Sequence, residues 1–287
     1  MNKLGENLIF LISLPRSGST MLQRILAGHP DIQTAPEPWI MLHPLYALKQ
    51  NGIHTVYEAP LAKQATDAFL SERGGEETYL DAIRAMASVL YGKSLHESGK
   101  KYFLDKTPRY YYVIPELQRT FPEARFIFLF RNPLSVLSSM LSTWFGNNLE
   151  FFIKSYNYAD ILNGPELLMQ GSHLKTKYSA TLAYETLVST PAVCIKDLCS
   201  KLDLQFHKNM LEYGNTTLDA SQFGDQVGIN IHKRPNANTT NKWQKNMARK
   251  ELVDFSRQYL DKLGKNIVVQ SGYDFRLLNQ QLDKITY

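Results

Sequence analysis

A short loop near the start of the chain combines a cation, hydroxyl groups and a glycine in a pattern typical of anion binding. The segment Pro15-Arg-Ser-Gly-Ser-Thr20 follows an apolar run at 8–14 and precedes apolar residues at helical spacing. Backbone N–H groups at a helix start, together with the helix dipole, favour phosphate or sulfate. We therefore interpret the segment as a phosphate loop between a strand and a helix.

This loop lacks two groups that nucleoside triphosphatases use with magnesium. Their loop reads G-x-x-x-x-G-K-[ST], but Ser19 stands where the lysine should be, and the cation has moved to Arg16. A second apolar run, at 126–130, ends in Arg131 rather than in an acid that could hold the metal. Because a sulfuryl group carries less charge than a phosphoryl group, its transfer needs no divalent cation. The pattern favours sulfuryl transfer.

The two motifs together resemble the sulfotransferases that use 3′-phosphoadenosine 5′-phosphosulfate as donor and release 3′-phosphoadenosine 5′-phosphate. Arg131 with Ser139 is similar to their 3′-phosphate motif, and the two motifs lie in the family's order. No cluster of His and Cys residues has the spacing of metal ligands, so we predict no metal. The resemblance implies that the 5′-phosphosulfate is held by Arg16, Ser17, Gly18, Ser19 and Thr20.

Two later segments extend the resemblance. Tyr184-Glu-Thr-Leu-Val188 is similar to the family's Tyr-Glu-x-Leu-Val segment, which implies that Tyr184 lies near the nucleotide; otherwise it is a core tyrosine. The segment 232–250 is basic and contains no acid, and it resembles the late loop that closes over the nucleotide. The resemblance implies Lys242 as a phosphate ligand. A solvated basic face is the alternative, especially for Lys233 and Arg234.

An acid–base pair completes the resemblance. The spacing from the loop to Glu37 is similar to that of the tyrosylprotein sulfotransferases, which implies Glu37 as general base, and Lys106 matches the family's catalytic lysine. A carboxylate can take the proton of an attacking hydroxyl, and an ammonium stabilises charge that develops on the leaving oxygen. His43 and His232 are rival bases, and Glu37 and Lys106 could instead be solvated residues.

The elements that must position these residues alternate between strand and helix. Strands are predicted at 8–14, 102–104, 126–130 and 179–183, and helices at 20–27, 133–144 and 191–202. Thr107-Pro108 has the cap-plus-proline form of a further helix start. The fold class is therefore α/β, three-layered, with a mostly parallel central sheet and ligands at the carboxyl ends of the strands.

Composition agrees with a globular protein. Of 287 residues, 44% are hydrophobic and 21% charged, which excludes collagen-like and wholly disordered chains. Lys and Arg outnumber Asp and Glu by 32 to 27, a balance that suits an anionic ligand but is too mild to indicate nucleic acid. We expect one domain over 1–287, no membrane span and a cytoplasmic location with two free cysteines.

The acceptor is a hydroxyl compound of open identity, an alcohol or phenol, as a small molecule or a peptide tyrosine. The stretch Trp39-Ile-Met-Leu-His-Pro-Leu-Tyr46 suggests an acceptor with an apolar portion, unless it is ordinary core. A mainly helical segment at about 42–100 is the expected cap over the acceptor. The alternatives are a kinase-like phosphotransferase and a non-enzymatic module that binds a nucleotide or sulfated glycan. The oligomeric state stays open.

Overall fold

The computed structural model describes residues 4–50, 52–174, 176–213, 234–235, 237 and 240–287. Its centre is a five-stranded sheet in the order β2-β3-β1-β4-β5, and all four strand pairings are parallel. The predicted α/β class with a parallel sheet is confirmed. The strands are β1 Leu8–Ser13, β2 Ile32–Pro36, β3 Tyr102–Lys106, β4 Arg125–Phe130 and β5 Tyr178–Ala183.

Helices cover both faces of the sheet. The described helices are α1 Ser19–Ala27, α2 Leu42–Tyr46, α3 Ala59–Ser71, α4 Glu76–Ser98, α5 Ile114–Thr120, α6 Pro133–Trp144, α7 Leu149–Ile153, α8 Tyr156–Ser172, α9 Tyr184–Ser189, α10 Pro191–Lys201, α11 Lys242–Asn246, α12 Lys250–Gln270 and α13 Phe275–Asp283, with 3₁₀ turns at Tyr110–Val113 and Lys208–Leu211. Non-helical Gly264 kinks α12.

Two hydrophobic clusters lie on opposite faces of the sheet, as the alternation of β1 side chains requires. Leu8, Phe10 and Ile12 belong to the larger cluster, which α4, α5, α6, α8 and α12 cover. Ile9 and Leu11 belong to the smaller one, beneath α1, α9 and α10. The sheet is therefore buried on both faces between two helical layers, as three-layer α/β architecture demands.

Most predicted elements occur close to their expected bounds, with one error at Thr107-Pro108. The predicted helix does not begin there: a 3₁₀ turn starts at Tyr110 and α5 only at Ile114. Thr107 is unavailable as a cap because its hydroxyl donates to the carboxylate of Asp105 and accepts from the amide of Trp39. Arg109, with a φ of 73°, is in the left-handed region, so a helix cannot continue from Pro108 through this residue.

Strand β2 was not predicted, and neither were the helices between α6 and β5. The sequence of β2, Ile-Gln-Thr-Ala-Pro, lacks a clear apolar alternation, and the strand lies at the edge of the sheet, where proline is tolerated. The segment 42–100 is largely helical, as expected, through α2, α3 and α4. In the described part of the chain, no helix combines the length and apolarity needed to cross a bilayer. The single domain and the cytoplasmic location stay predictions.

Candidate active site

The strand order brings the predicted residues to one edge of the sheet. Lys106 ends β3, Arg131 follows β4, and Tyr184 follows β5. Glu37 follows β2, and the phosphate loop with Arg16 follows β1. Since carboxyl ends of parallel strands meet at one edge, the order along that edge is Glu37, Lys106, the loop, Arg131 and Tyr184, with strands about 4.8 Å apart.

The phosphate loop leads directly into α1 and exposes helix-start amides. The amide of Ser17 donates to the carbonyl of Leu14 at 3.3 Å, and the first helical bond joins the Leu22 amide to the Gly18 carbonyl. The amides of Ser19 and Thr20 precede that bond, so they have no acceptor within the helix. An anion would find these two amides at the positive end of the helix dipole, whereas the Ser17 amide is engaged in the turn.

Gly18 has to be glycine for two reasons. Its φ of 89° and ψ of 14° lie in the left-handed region, which disfavours residues with a Cβ. A Cβ there would lie 2.4 Å and 2.6 Å from the Cδ2 and Cε2 atoms of Tyr184. The close approach places two edge carbons of the Tyr184 ring against the loop, and Tyr184 is only 7% exposed. The structure thus brings Tyr184 into direct contact with the predicted phosphate loop.

Arg131 is a mostly buried cation at the centre of the site. Its Nη1 donates to the carbonyl oxygen of Arg16 at 2.7 Å, and its guanidinium carbon lies 4.3 Å from the centre of the Tyr184 ring. Burial lowers the pKa of Arg131, and the neighbouring Tyr184 and Glu185 oppose that effect. Within the described residues its Nε is buried without a hydrogen-bond partner. A half-buried guanidinium whose buried Nε lacks an acceptor fits an anionic ligand such as a phosphate.

Arg16 reaches from the loop across to α6. Its Nε donates to the hydroxyl of Ser139 at 3.2 Å, and its Nη2 donates to the hydroxyl of Thr143 at 3.4 Å. The guanidinium also lies over the ring of Trp144, 5.7 Å from the ring centre. Arg16 has a positive φ of 65°, a conformation that is uncommon for residues other than glycine. The two motifs found in the sequence are therefore in direct contact.

Glu37 and Lys106 form a largely buried ion pair. The Nζ atom of Lys106 lies 2.6 Å from Oε1 of Glu37, and the two side chains are 2% and 14% exposed. The pairing of β2 with β3 sets this contact, because Pro36 lies opposite Lys106 in the ladder and Glu37 follows at once. A carboxylate and an ammonium, groups that can serve in general acid–base chemistry, thus lie together on one side of the phosphate loop.

Three charged residues with well-defined roles in the structure were not singled out from the sequence. Asp105 is fully buried and accepts from Tyr91, Tyr110 and Thr107, and burial raises the pKa of its carboxyl while these hydrogen bonds oppose the shift. Arg109 and Glu185 are the other two. Their only sequence signal is their place beside a predicted motif.

Arg109 and Glu185 each join distant segments. Arg109 binds the buried carboxylate of Asp160 at 2.8 Å, and its guanidinium lies 5.6 Å from the ring centre of Trp39. Glu185 accepts from the amide of Asn132 at 3.0 Å and from the hydroxyl of Tyr273 at 2.7 Å. The contact of Arg109 with Trp39 holds the chain that follows Glu37. The contact of Glu185 with the Asn132 amide holds the start of α6 beside Arg131.

The remaining predicted residues are less closely placed. Lys242 is an exposed residue in the first turn of α11, and α11 packs on α6. Arg234 is exposed and pairs with Glu212 at 2.7 Å, as a surface residue would. His43 is exposed on α2. His232 and Lys233 lie outside the described residues.

Comparison with known proteins gives consistent results. A family model described as the sulfotransferase family matches residues 8–208. Over 135 residues the chain is 38% identical to nodulation protein NoeE of Sinorhizobium fredii, and this alignment covers 47% of this chain and 31% of that protein. Over 136 residues it is 30% identical to protein-tyrosine sulfotransferase 1 of Homo sapiens, which covers 47% of this chain and 34% of that protein. The chain therefore spans about a third of each relative's length.

Solved structures share the fold. The sulfotransferase domain from the curacin biosynthetic pathway superposes with a TM-score of 0.53 at 21% identity and covers 87% of this chain and 96% of that one. A mouse sulfotransferase complexed with PAP superposes with a TM-score of 0.50 at 12% identity, over 96% of this chain and 88% of that one. Because the family model covers more than two thirds of its 287 residues, this chain belongs to the sulfotransferase family.

Proposed function

We propose that this protein transfers a sulfuryl group from 3′-phosphoadenosine 5′-phosphosulfate to the hydroxyl group of an acceptor. The observation that carries the proposal is the Glu37–Lys106 pair, 2.6 Å apart, at the ends of β2 and β3, with β3 next to the strand that leads into the phosphate loop. A protein that only bound a nucleotide would have no use for a carboxylate and an ammonium at that place. No residue at the end of β4 offers the acid that a magnesium-dependent kinase needs, since Arg131 stands there.

The donor would lie along the edge of the sheet. When bound, it supplies the sulfuryl group and leaves as 3′-phosphoadenosine 5′-phosphate. The helix-start amides of Ser19 and Thr20, with Arg16, would hold its 5′ end. Arg131 would hold the 3′-phosphate with Ser139, whose hydroxyl already accepts from Arg16. The Tyr184 ring, which lies against both Gly18 and the Arg131 guanidinium, would hold that guanidinium in place to bind the phosphate. Lys242 would join them as a further phosphate ligand.

Glu37 is the general base of the proposed reaction. Its carboxylate takes the proton from the acceptor hydroxyl as the acceptor oxygen bonds to sulfur and the bond from sulfur to the bridging oxygen breaks. The adjacent ammonium of Lys106, 2.6 Å away, holds the carboxylate in place in a site that is largely closed to water. A positioned base of this kind contributes about 10²- to 10⁴-fold in rate.

Lys106 and Arg16 stabilise the leaving group. The bridging oxygen gains negative charge as its bond to sulfur breaks, and a preorganised cation there lowers the energy of the transition state more than that of the ground state. An ammonium has three donors, so Lys106 can keep its contact with Glu37 and still donate to this oxygen. In this step the acceptor loses its proton to Glu37 and gains the sulfuryl group, and the nucleotide leaves with the electron pair of the broken bond between sulfur and the bridging oxygen.

The acceptor carries an apolar portion next to its hydroxyl. Trp39, Ile40 and Tyr46 follow Glu37 and are only half-buried, while Met41 and Leu45 belong to the core. Trp144, 44% exposed, lies beside Arg16 on the other side of the loop. Apolar and aromatic surface near the base and near the sulfuryl end would bind an apolar or aromatic group of the acceptor.

Isothermal titration tests the donor. We expect 3′-phosphoadenosine 5′-phosphate to bind without magnesium and much more tightly than 5′-AMP, because only the former can use Arg131. A matched titration with ATP and magnesium tests the kinase alternative. Preference for ATP with the metal, or equal affinity for 5′-AMP, would overturn the proposal. Sulfuryl transfer is then measured against a panel of phenols and alcohols that differ in the apolar group next to the hydroxyl.

A further inference from the structure

A fully buried carboxylate lies directly beside the Glu37–Lys106 pair and collects three hydroxyl groups. Asp105 precedes Lys106 on β3, and its Oδ2 accepts from Tyr91 at 2.6 Å and from Tyr110 at 2.8 Å. Its Oδ1 accepts from the hydroxyl of Thr107 at 2.8 Å. An ionised carboxylate only accepts hydrogen bonds, so it orients all three hydroxyl protons toward itself.

Two of these hydroxyls then hold the segment that carries Glu37. With its proton directed to Asp105, the Thr107 oxygen accepts from the amide of Trp39 at 3.1 Å. The Tyr110 oxygen accepts from the amide of Met41 at the same distance, 3.1 Å. The segment 37–41 is therefore connected to Asp105 at two points.

This segment needs such support because its backbone is strained. Glu37 has a φ of 32° and Trp39 a φ of 57°, both in the region that residues with a Cβ seldom adopt. The ladder with β3 ends at Pro36, so it does not constrain the residues that follow. A conformation of this kind persists only when its surroundings determine it. The contacts from Thr107 and Tyr110 provide that constraint.

We propose that Asp105 is a positioning residue which, through Thr107 and Tyr110, sets the carboxylate of Glu37 against Lys106. The inference rests on the proposed function for its catalytic meaning. Asp105 itself touches neither donor nor acceptor in this proposal. Its effect is on the geometry of the base, since a misplacement of about 1 Å can lower the rate about 10²-fold.

Single hydroxyl deletions test the proposal, and Tyr91 supplies the matched control. Tyr110→Phe and Tyr91→Phe each remove one buried tyrosine hydroxyl and one hydrogen bond to Asp105. Only Tyr110→Phe also removes a contact to the segment 37–41. We expect Tyr110→Phe to lower kcat about 10- to 100-fold at an unchanged Kd for 3′-phosphoadenosine 5′-phosphate. Tyr91→Phe should lower the melting temperature to a similar degree and leave kcat within about threefold of wild type.

Thr107 provides an independent pair of variants. Thr107→Val keeps the shape of the side chain and removes the hydroxyl, and we expect it to lower kcat as Tyr110→Phe does. Thr107→Ser keeps the hydroxyl, so we expect it to retain most of the wild-type kcat that Thr107→Val loses. Equal losses of kcat in Tyr91→Phe and Tyr110→Phe would overturn the proposal, because the effect would then follow stability. Failure of Thr107→Ser to restore the rate would also overturn it.

Amide hydrogen exchange gives a readout that does not depend on activity. Thr107→Val should speed exchange of the Trp39 amide at least about 10-fold, and Tyr91→Phe should leave it unchanged. Unchanged exchange in Thr107→Val would overturn the positioning role. The experiment needs no donor or acceptor, so it still decides this point if the wild-type protein transfers no sulfuryl group, a result that would overturn the proposed function instead.

Discussion

The contact between Gly18 and Tyr184 makes a quantitative prediction for the substitution Gly18→Ala. Both Gly18 and Gly99 are left-handed, with φ of 89° and 67° and ψ of 14° and 11°. A Cβ at Gly18 would lie 2.4 Å from a ring carbon of Tyr184, whereas a Cβ at Gly99 would have nothing within 4 Å. Gly99→Ala is therefore a matched control with the same backbone strain and no clash.

The two substitutions should differ in their effect on the free energy of unfolding. A left-handed alanine costs about 1–2 kcal/mol, and both variants pay that cost. Forcing extra volume into a packed site costs about 1–3 kcal/mol more, and this applies only to Gly18→Ala. We expect a loss of about 1–2 kcal/mol for Gly99→Ala and of about 2–5 kcal/mol for Gly18→Ala. The displaced ring of Tyr184 would also move off Arg131, so the affinity for 3′-phosphoadenosine 5′-phosphate should fall in Gly18→Ala alone.

Urea unfolding of the two variants and of a double-mutant cycle measures these terms. In a Tyr184→Ala background the clash is absent, so Gly18→Ala should cost no more there than Gly99→Ala does in the wild type. Equal losses for Gly18→Ala and Gly99→Ala in the wild type would refute the reasoning. So would a loss at Gly18 that stays the same after Tyr184 is removed, because the cost would then come from the backbone alone.

Four further predictions concern single side chains. Glu37→Gln keeps the shape of the base but cannot take a proton, so steady-state kinetics should show kcat lowered about 10²-fold or more, with an unchanged Kd for 3′-phosphoadenosine 5′-phosphate. An unchanged kcat would remove Glu37 from the mechanism. Arg131→Lys loses the guanidinium fork, so titration should show about 10-fold weaker binding of 3′-phosphoadenosine 5′-phosphate and little change for 5′-AMP, and an equal loss for both would contradict its contact with the 3′-phosphate. Asn132 caps α6 by accepting from two amides, so Asn132→Ala should lower the free energy of unfolding by about 1 kcal/mol in urea, and no loss would contradict the cap. Burial raises the pKa of Cys199 from 9.0 to about 11, so its thiol should resist Ellman's reagent at pH 8 until the protein unfolds. Since the unfolded chain releases this proton first, the contribution of Cys199 to stability should be lost as pH rises from about 9 to about 11.

Local signals in the sequence predicted the parts of the site that depend on neighbouring residues. The loop at Pro15–Thr20 follows from an apolar strand, a glycine and a helix start within a short stretch. The start of α6 follows from Asn132 and Pro133, which act on the next few amides. Strand β2 could not be predicted from the sequence, because its mixed sequence adopts the strand conformation only by pairing with β3. The Thr107-Pro108 prediction was wrong for a related reason: a remote amide and a buried carboxylate bind the hydroxyl that the local pattern assigned to a cap.

The sequence by itself determined which residue types are present for the proposed sulfuryl transfer, and the fold decided how they are arranged. Along the chain the order is Arg16, Glu37, Lys106, Arg131 and Tyr184. The strand order β2-β3-β1-β4-β5 moves the proposed base and Lys106 to one side of the phosphate loop and the proposed 3′-phosphate residues to the other. Crossover helices allow parallel strands to pair out of chain order, so an ion pair can join residues 69 positions apart. Such contacts depend on the packing of the whole sheet, and no local pattern encodes them.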